Sequence, residues 1–199
     1  TYGAYTPVGG SSPNKRAEKR YCEIACEQLG ATCRNYGVSG ISISSTSYQS
    51  PTGAISLRYS SMDAAADMVV IAGGTNDYGT GVALGTIADT TDVSFYGALH
   101  VLCSGLCEKY PGKRIVFLTP FHRSSEAANK VGATLAQYKQ AIYDVARDEF
   151  GFAVLDGWTV GLSPKNAKVK AEYIVDGVHP NPIGHELIGA SLARMLNAI

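Results

Sequence analysis

Asp67-Met68-Val69-Val70-Ile71-Ala72-Gly73-Gly74-Thr75-Asn76-Asp77 is the stretch that decides the fold. It opens with an unbroken apolar run rich in branched side chains, and two glycines end that run. Alternation of apolar and polar residues would mark a strand wetted on one face. An unbroken run predicts a strand buried on both faces, as in a parallel sheet. Two further runs of this kind follow. One is Arg114-Ile115-Val116-Phe117-Leu118-Thr119, ended by Pro120; the other is Phe152-Ala153-Val154-Leu155, followed by Asp156-Gly157-Trp158. Around them the apolar period is helical. Residues 92–110 read as a helix closed by Pro111-Gly112. Residues 132–150 read as a second, with Leu135, Tyr138, Ile142, Val145 and Ala146 on one side. Residues 182–197 read as a closing helix with Ile183, Leu187, Ile188, Leu192 and Leu196 as its apolar face. Strand and helix alternate with no repeat and no linker. That predicts one α/β domain over 1–199, with a parallel sheet and helices on both faces.

Upstream, Ser12-Pro13 reads as the N-cap and first position of a helix running to about residue 29, stopped by Gly30. Its inward stripe would be Ala17, Tyr21, Ile24, Ala25 and Gln28-Leu29. Thr32-Cys33-Arg34-Asn35-Tyr36 is a short strand candidate. Residues 41–61 are Ser/Thr-rich with weak periodicity and read as a long loop holding one short helix.

The chain has 199 residues, enough for a full hydrophobic core. Lys plus Arg and Asp plus Glu are equal at 17 each, which removes any global electrostatic case for nucleic acid or an anionic membrane. The longest apolar run, Met68 to Ala72, is far short of a membrane span. The five cysteines are an odd number and a chain this long needs no disulfide framework, so a reducing setting is expected. Cys22 with Cys26 and Cys103 with Cys107 are i, i+4 pairs on predicted helices and read as small buried groups. His100, Cys103 and Cys107 share a helical stripe, but structural zinc shows closer cysteine spacing and four clear ligands. Neither a metal nor a cofactor is expected.

Ligands of open α/β sheets bind beyond the carboxyl ends of the strands. The polar and glycine-rich motifs fall there: Gly37 to Gly40, Gly73 to Asp77, Pro120 to Arg123 and Asp156 to Trp158. Val175-Asp176-Gly177-Val178-His179-Pro180-Asn181-Pro182, just ahead of the last helix, can reach the same rim. In it an acid precedes a histidine by three residues across a glycine, so the carboxylate can hold one ring nitrogen and leave the other as a base. Taken alone, this is a stiff loop with polar residues, and Gly73 to Asp77 is a tight turn. Asn76 can also be read as an amide donor pointing into the crevice. Asp77, Tyr78, His122, Arg123 and Trp158 are rim candidates for substrate contact on position alone.

Together, Asn-Tyr-Gly-Val-Ser-Gly at 35–40, Gly-Gly-Thr-Asn-Asp at 73–77 and Asp-Gly-Val-His-Pro at 176–180 resemble three sequence blocks of the SGNH (GDSL-type) hydrolases in order and spacing. The resemblance implies a three-layer, flavodoxin-like α/β fold and ester or thioester hydrolysis through an acyl-serine intermediate. It implies a backbone oxyanion donor at Gly40, a side-chain donor at Asn76, a general base at His179 and its orienting acid at Asp176. The family's Gly-Asp-Ser block and the strand before it are missing from these residues. Thr1-Tyr2-Gly3 matches what commonly follows that block, so a strand ending in the nucleophilic serine is expected just upstream. Ser11, Ser12 and Ser39 sit in the wrong places to replace it. An N-terminal nucleophile at Thr1 belongs with layered antiparallel sheets, which this pattern does not suggest.

The expected activity is a serine esterase acting on short acyl esters such as acetyl groups on carbohydrate. The polar 41–61 segment and the lack of a long apolar lid favour a small polar substrate over a lipid. A thioesterase or lysophospholipase of the same family is the nearest alternative. An inactive, glycan-binding domain of a larger protein is the alternative of another class. The sequence selects no compartment: a bacterial-type protein, cytoplasmic or secreted as part of a larger chain, fits it equally.

Overall fold

The computed structural model describes residues 4–5, 15–47 and 53–199. By contacts the chain divides into two units. One comprises residues 40–120 and 126–156 and carries the sheet; the other comprises 1–39, 121–125 and 157–199 and is mainly helical.

In the sheet-bearing unit the strands are β3 (Met68–Ala72), β4 (Arg114–Leu118) and β5 (Ala153–Leu155), parallel and in the order β3-β4-β5. Val70 aligns with Val116, and Val116 with Ala153. The predicted strands are therefore present, but burial differs among them. β4 lies between two neighbours and buries Ile115 to Leu118 on both faces. Among the described residues β3 has a strand on one side only, and it alternates: Val69 and Ile71 are buried while Val70 is 38% exposed. The unbroken apolar run thus predicted the strand correctly and its two-sided burial wrongly.

The helices of this unit are α2 (Ile55–Arg58), which continues as a 3₁₀ turn over Tyr59–Ser61, then α3 (Thr75–Thr80), α4 (Phe95–Lys109) and α5 (Leu135–Ile142). α4 starts at Ser94, whose side chain accepts from the Gly97 N–H at 3.2 Å. Its apolar stripe, Phe95, Ala98, Leu99, Leu102 and Leu106, is wholly buried. Gly105 lets Tyr59 lie against the helix, since a Cβ there would sit 2.0 Å from the tyrosine ring. α5 begins with a capping box between Thr134 and Gln137 and widens into a π-helix over Tyr143–Glu149. Leu135, Tyr138, Ile142, Val145 and Ala146 form its buried side, as the period predicted. The turn expected at Gly73 to Asp77 opens α3 instead. The loop at 41–61 holds a short helix as expected, with residues 48–52 outside the described set.

The helical unit contains α1 (Tyr21–Gln28), α6 (Ala167–Tyr173) and α7 (Pro182–Asn197), with a two-residue pair of β1 (Ala4–Tyr5) and β2 (Lys15–Arg16). The helix expected from residue 12 starts at Tyr21. Residues 15–16 pair antiparallel with 4–5, and the cap proposed at Ser12 lies outside the described residues. Glu23 closes the true start, accepting from the Arg20 N–H at 2.9 Å and Nε at 2.8 Å. Ala17, Tyr21, Ile24 and Ala25 are buried as expected, whereas Gln28 is exposed. Among the described residues, 32–36 pair with no strand. α7 spans the predicted residues, but its buried face is Gly184, His185, Ile188, Leu192 and Leu196. Ile183 and Leu187 face solvent at 52% and 41%. α7 meets α1 at Gly189, where a Cβ would stand 2.7 Å from Ile24.

Candidate active site

In the sheet-bearing unit, the segment after Gly40 is tied to the start of α3. Gly74, at φ +97°, turns the chain from β3 into that helix. A Cβ there would lie 3.2 Å from Pro120 and 3.3 Å from Phe95, so the strand-end loops close tightly. Asn76, one residue into α3, donates from Nδ2 to the Ile41 carbonyl at 2.8 Å. Asn76 and the neighbour of Gly40 are thereby brought together. An amide nitrogen has two hydrogens, so one remains for a ligand. Gly40 itself takes φ +75°, a conformation that favours glycine.

Asp77 and Tyr78 were expected at the rim, and the structure places both inside. Asp77 has no exposed surface, and its two oxygens accept from the Ile43 N–H and the Ser44 N–H, each at 2.9 Å. Burial pushes its carboxyl up to about 6, against the downward pull of those hydrogen bonds. Tyr78 is buried, and its hydroxyl donates to the Ala127 carbonyl at 2.8 Å. Both residues fix loops, because a carboxylate with two backbone donors and a buried phenol with a carbonyl satisfy groups that would otherwise be orphaned. Asp156, at the end of β5, receives the Lys139 ammonium at 2.7 Å.

In the helical unit, residues 174–180 form a closed loop. Ile174 bridges Pro180, and the Val175 N–H donates to the His179 carbonyl at 3.1 Å. Inside it, Asp176 Oδ1 accepts from the Val178 N–H at 3.0 Å and the His179 N–H at 2.8 Å. Asp176 Oδ2 lies 2.7 Å from His179 Nδ1. An ionised carboxylate only accepts, so Nδ1 carries the proton and Nε2 is left with a lone pair. Burial pushes the Asp176 carboxyl up, but the bonds and charge of His179 and the Val178 N–H outweigh it and hold it below the ordinary value. The His179 side chain is 39% exposed, so Nε2 is open to a reacting group.

Two sets of hydrogen bonds that sequence reasoning missed hold this loop. Gly177, at φ +84°, presents its carbonyl to the Ser124 N–H at 2.9 Å. Asn181 caps α7, accepting from the Gly184 N–H at 2.9 Å, while its Nδ2 donates to the Glu172 carbonyl at 2.8 Å and its own N–H to Tyr173 at 2.8 Å. An asparagine ahead of a helix-starting proline was a readable cap signal; its bonds to the end of α6 were not. His185 lies in the α7 core, stacked on Tyr21 and accepting the Tyr21 N–H at Nδ1, 3.3 Å away. Burial drives its pKa down to about 4, which suits a structural role.

Of the remaining rim candidates, His122 stacks on Trp158 with ring centroids 4.4 Å apart, and Arg123 adjoins them half-buried. A cleft of about 410 Å³ lined by His100, Ser104 and Glu108 includes none of the candidate catalytic residues. On the same helix His100 is bound to the Asp89 carbonyl and to Glu149, and Cys103 is fully buried. Among the described residues no group of three His, Cys, Asp or Glu side chains is placed to hold a metal.

A mouse (Mus musculus) protein, isoamyl acetate-hydrolyzing esterase 1 homolog, is 31% identical over 99 residues, covering 44% of this chain and 38% of its own length. A Lactobacillus plantarum protein of solved structure is 28% identical, with a TM-score of 0.84 over 94% of this chain and 91% of that one. The native aryl esterase of M. smegmatis, at 17% identity, shares the fold with a TM-score of 0.65 over 99% of this chain and 94% of its own. The fold is accordingly the flavodoxin-like α/β fold expected from the three sequence blocks. The model of the GDSL-like lipase/acylhydrolase family matches residues 1–187, and the chain belongs to that family.

Proposed function

We propose that the protein is a serine esterase cleaving short, acetyl-type esters, with a carbohydrate as the alcohol, through an acyl-serine intermediate. The observation that carries this is the Asp176–His179 pair, joined at 2.7 Å with Nε2 left free. His179 takes the proton of the attacking serine hydroxyl and returns it to the departing alkoxide. Asp176 keeps the ring in the required tautomer and stabilises the imidazolium. Asn76, through its second amide hydrogen, and the Gly40 N–H supply charge to the developing oxyanion. The name of the mouse relative supports an acetyl ester of a small alcohol. The half-buried His122–Trp158 stack and Arg123 supply apolar faces and a cation suited to a sugar ring and its hydroxyls.

The test is p-nitrophenyl acetate turnover by the full-length protein, together with fluorophosphonate labelling. His179→Ala is expected to lower kcat by roughly 10⁴-fold or more while the fold persists. A serine is expected to take the label in the wild type. Neither turnover nor label in a folded wild type would point to a glycan-binding domain without catalysis.

A further inference from the structure

Three of the five cysteines meet in the helical unit. Cys22 and Cys26 are one turn apart on α1. Beyond α1 the chain doubles back at Gly30, φ +64°, and the Ala31 N–H donates to the Cys26 carbonyl at 2.8 Å. The next residues return along the helix, so that Asn35 Nδ2 reaches Cys22 Sγ at 3.1 Å. Cys33 lies between these two contacts, and the thiols of Cys22 and Cys26 are near enough to act on its own. All three side chains are half-buried and none is in a disulfide. Cysteines serving only as core filler would be enclosed, as Cys103 is. These three lie close together in the chain's path and are only half-buried, so small solutes reach them.

We propose that Cys22, Cys26 and Cys33 form an oxidisable thiol site in which Cys33 closes a disulfide with either cysteine of α1. Side chains at i and i+4 of one helix project side by side, whereas Cys33 comes from a separate segment and can approach either of them from outside the helix. Burial, reinforced by the two neighbouring thiols, pushes the Cys33 thiol up to about 12. It is therefore not the first nucleophile; its place opposite both α1 cysteines makes it the group that attacks second, once a sulfenic acid has formed beside it. The oxidant is a peroxide. A thiolate on α1 attacks one peroxide oxygen and breaks the O–O bond; the other oxygen leaves as hydroxide and becomes water. The Cys33 sulfur then displaces the hydroxyl of the resulting sulfenic acid. The S–S bond forms, and the Cys33 proton leaves with that hydroxyl as a second water. Two thiols are oxidised by two electrons and one peroxide is reduced to two waters. The third cysteine remains a thiol and can attack the bridge, moving it between the two α1 positions without further oxidant.

The test is a brief exposure of the full-length protein to hydrogen peroxide, then alkylation and peptide mapping. Free thiols counted in denaturant should fall by two from the five of the reduced chain. Every bridged peptide pair should contain Cys33. Cys22→Ser and Cys26→Ser should each still form a bridge through the remaining α1 thiol. Cys33→Ser should form none and should accumulate sulfenic or sulfinic acid on α1. Circular dichroism checks that each variant folds, and the wild-type map depends on no variant. A Cys22–Cys26 bridge, a bridge persisting in Cys33→Ser, or wild-type oxidation confined to Cys107 would each overturn the proposal.

Discussion

At the scale of single residues, Asn76 and Asp77 stand side by side and do opposite things. Asn76 is half-buried with one amide hydrogen committed to Ile41. Asn76→Ala should therefore lower kcat for an aryl acetate by roughly 10²–10³-fold, the effect of losing one oxyanion donor, with KM nearly unchanged. It should also cost about 1 kcal/mol of stability, because the Ile41 carbonyl loses its partner. Equal losses in kcat and in the folded fraction would reduce Asn76 to a structural role. Asp77 is a titration experiment in itself. Its folded value, about 6, lies above the ordinary carboxyl value, so the folded state holds its proton more tightly than the unfolded chain. Its contribution is full below about pH 4, is lost as pH rises to about 6, and is constant above. The size is on the order of 3 kcal/mol. Carboxylates held low, Asp176 among them, tilt the curve the other way. The readout is therefore the difference between wild type and Asp77→Asn in urea unfolding across pH 4 to 8. Wild type should lose stability relative to the variant between pH 4 and 6, and parallel curves would show that Asp77 titrates normally.

At the scale of elements, the loop between α6 and α7 depends on a glycine for two separable reasons. Gly177 needs φ +84°, and a Cβ there would stand 2.2 Å from Ser124 Oγ. Gly177→Ala should cost roughly 2–4 kcal/mol, combining left-handed strain with the clash, and should shift His179 enough to lower kcat. Adding Ser124→Gly removes the clash and should leave only the strain, about 1–2 kcal/mol. A double variant no better than the single in thermal unfolding would remove Ser124 from the account. This loop also shows what could be read from the chain. Its acid, glycine, histidine and prolines announced a turn, and α7 carried a cap, a proline at its start and a helical period. β4 was readable because an unbroken apolar run has few other uses. α3 escaped because Thr75-Asn76-Asp77-Tyr78-Gly79-Thr80 is written in turn-forming residues; Asp77's bonds to Ile43 and Ser44, remote in sequence, help hold it. α6 escaped because none of its residues is buried, leaving no apolar stripe to detect. The start of α1 was misplaced because Ser12-Pro13, outside the described residues, carries the sequence signal of a cap, whereas the helix begins at Tyr21 with Glu23 binding back to Arg20.

At the scale of the whole molecule, the balance of charge and apolar surface bears on substrate class. Acidic and basic residues cancel at 17 each, so no net field favours an anionic lipid surface. Among the described residues no helix is long and apolar enough to cross a membrane. Among the described residues the exposed large apolar side chains, such as Tyr36, Leu57, Val93 and Ile183, come from separate stretches of chain, and no run of them builds an apolar lid. A site with an apolar acyl groove gains about 0.8 kcal/mol for each methylene it buries, so its kcat/KM climbs steeply with chain length. A site made for a short acyl group gains nothing and meets a steric limit. With p-nitrophenyl acetate, butyrate and octanoate, kcat/KM should therefore be highest for acetate and at least about tenfold lower for octanoate. The same series in detergent-free and micellar solution separates chain-length preference from interfacial activation, since a lipid-directed enzyme would rise on micelles. A tenfold climb from acetate to octanoate would assign the protein to long-chain acyl substrates and remove the acetyl-sugar proposal.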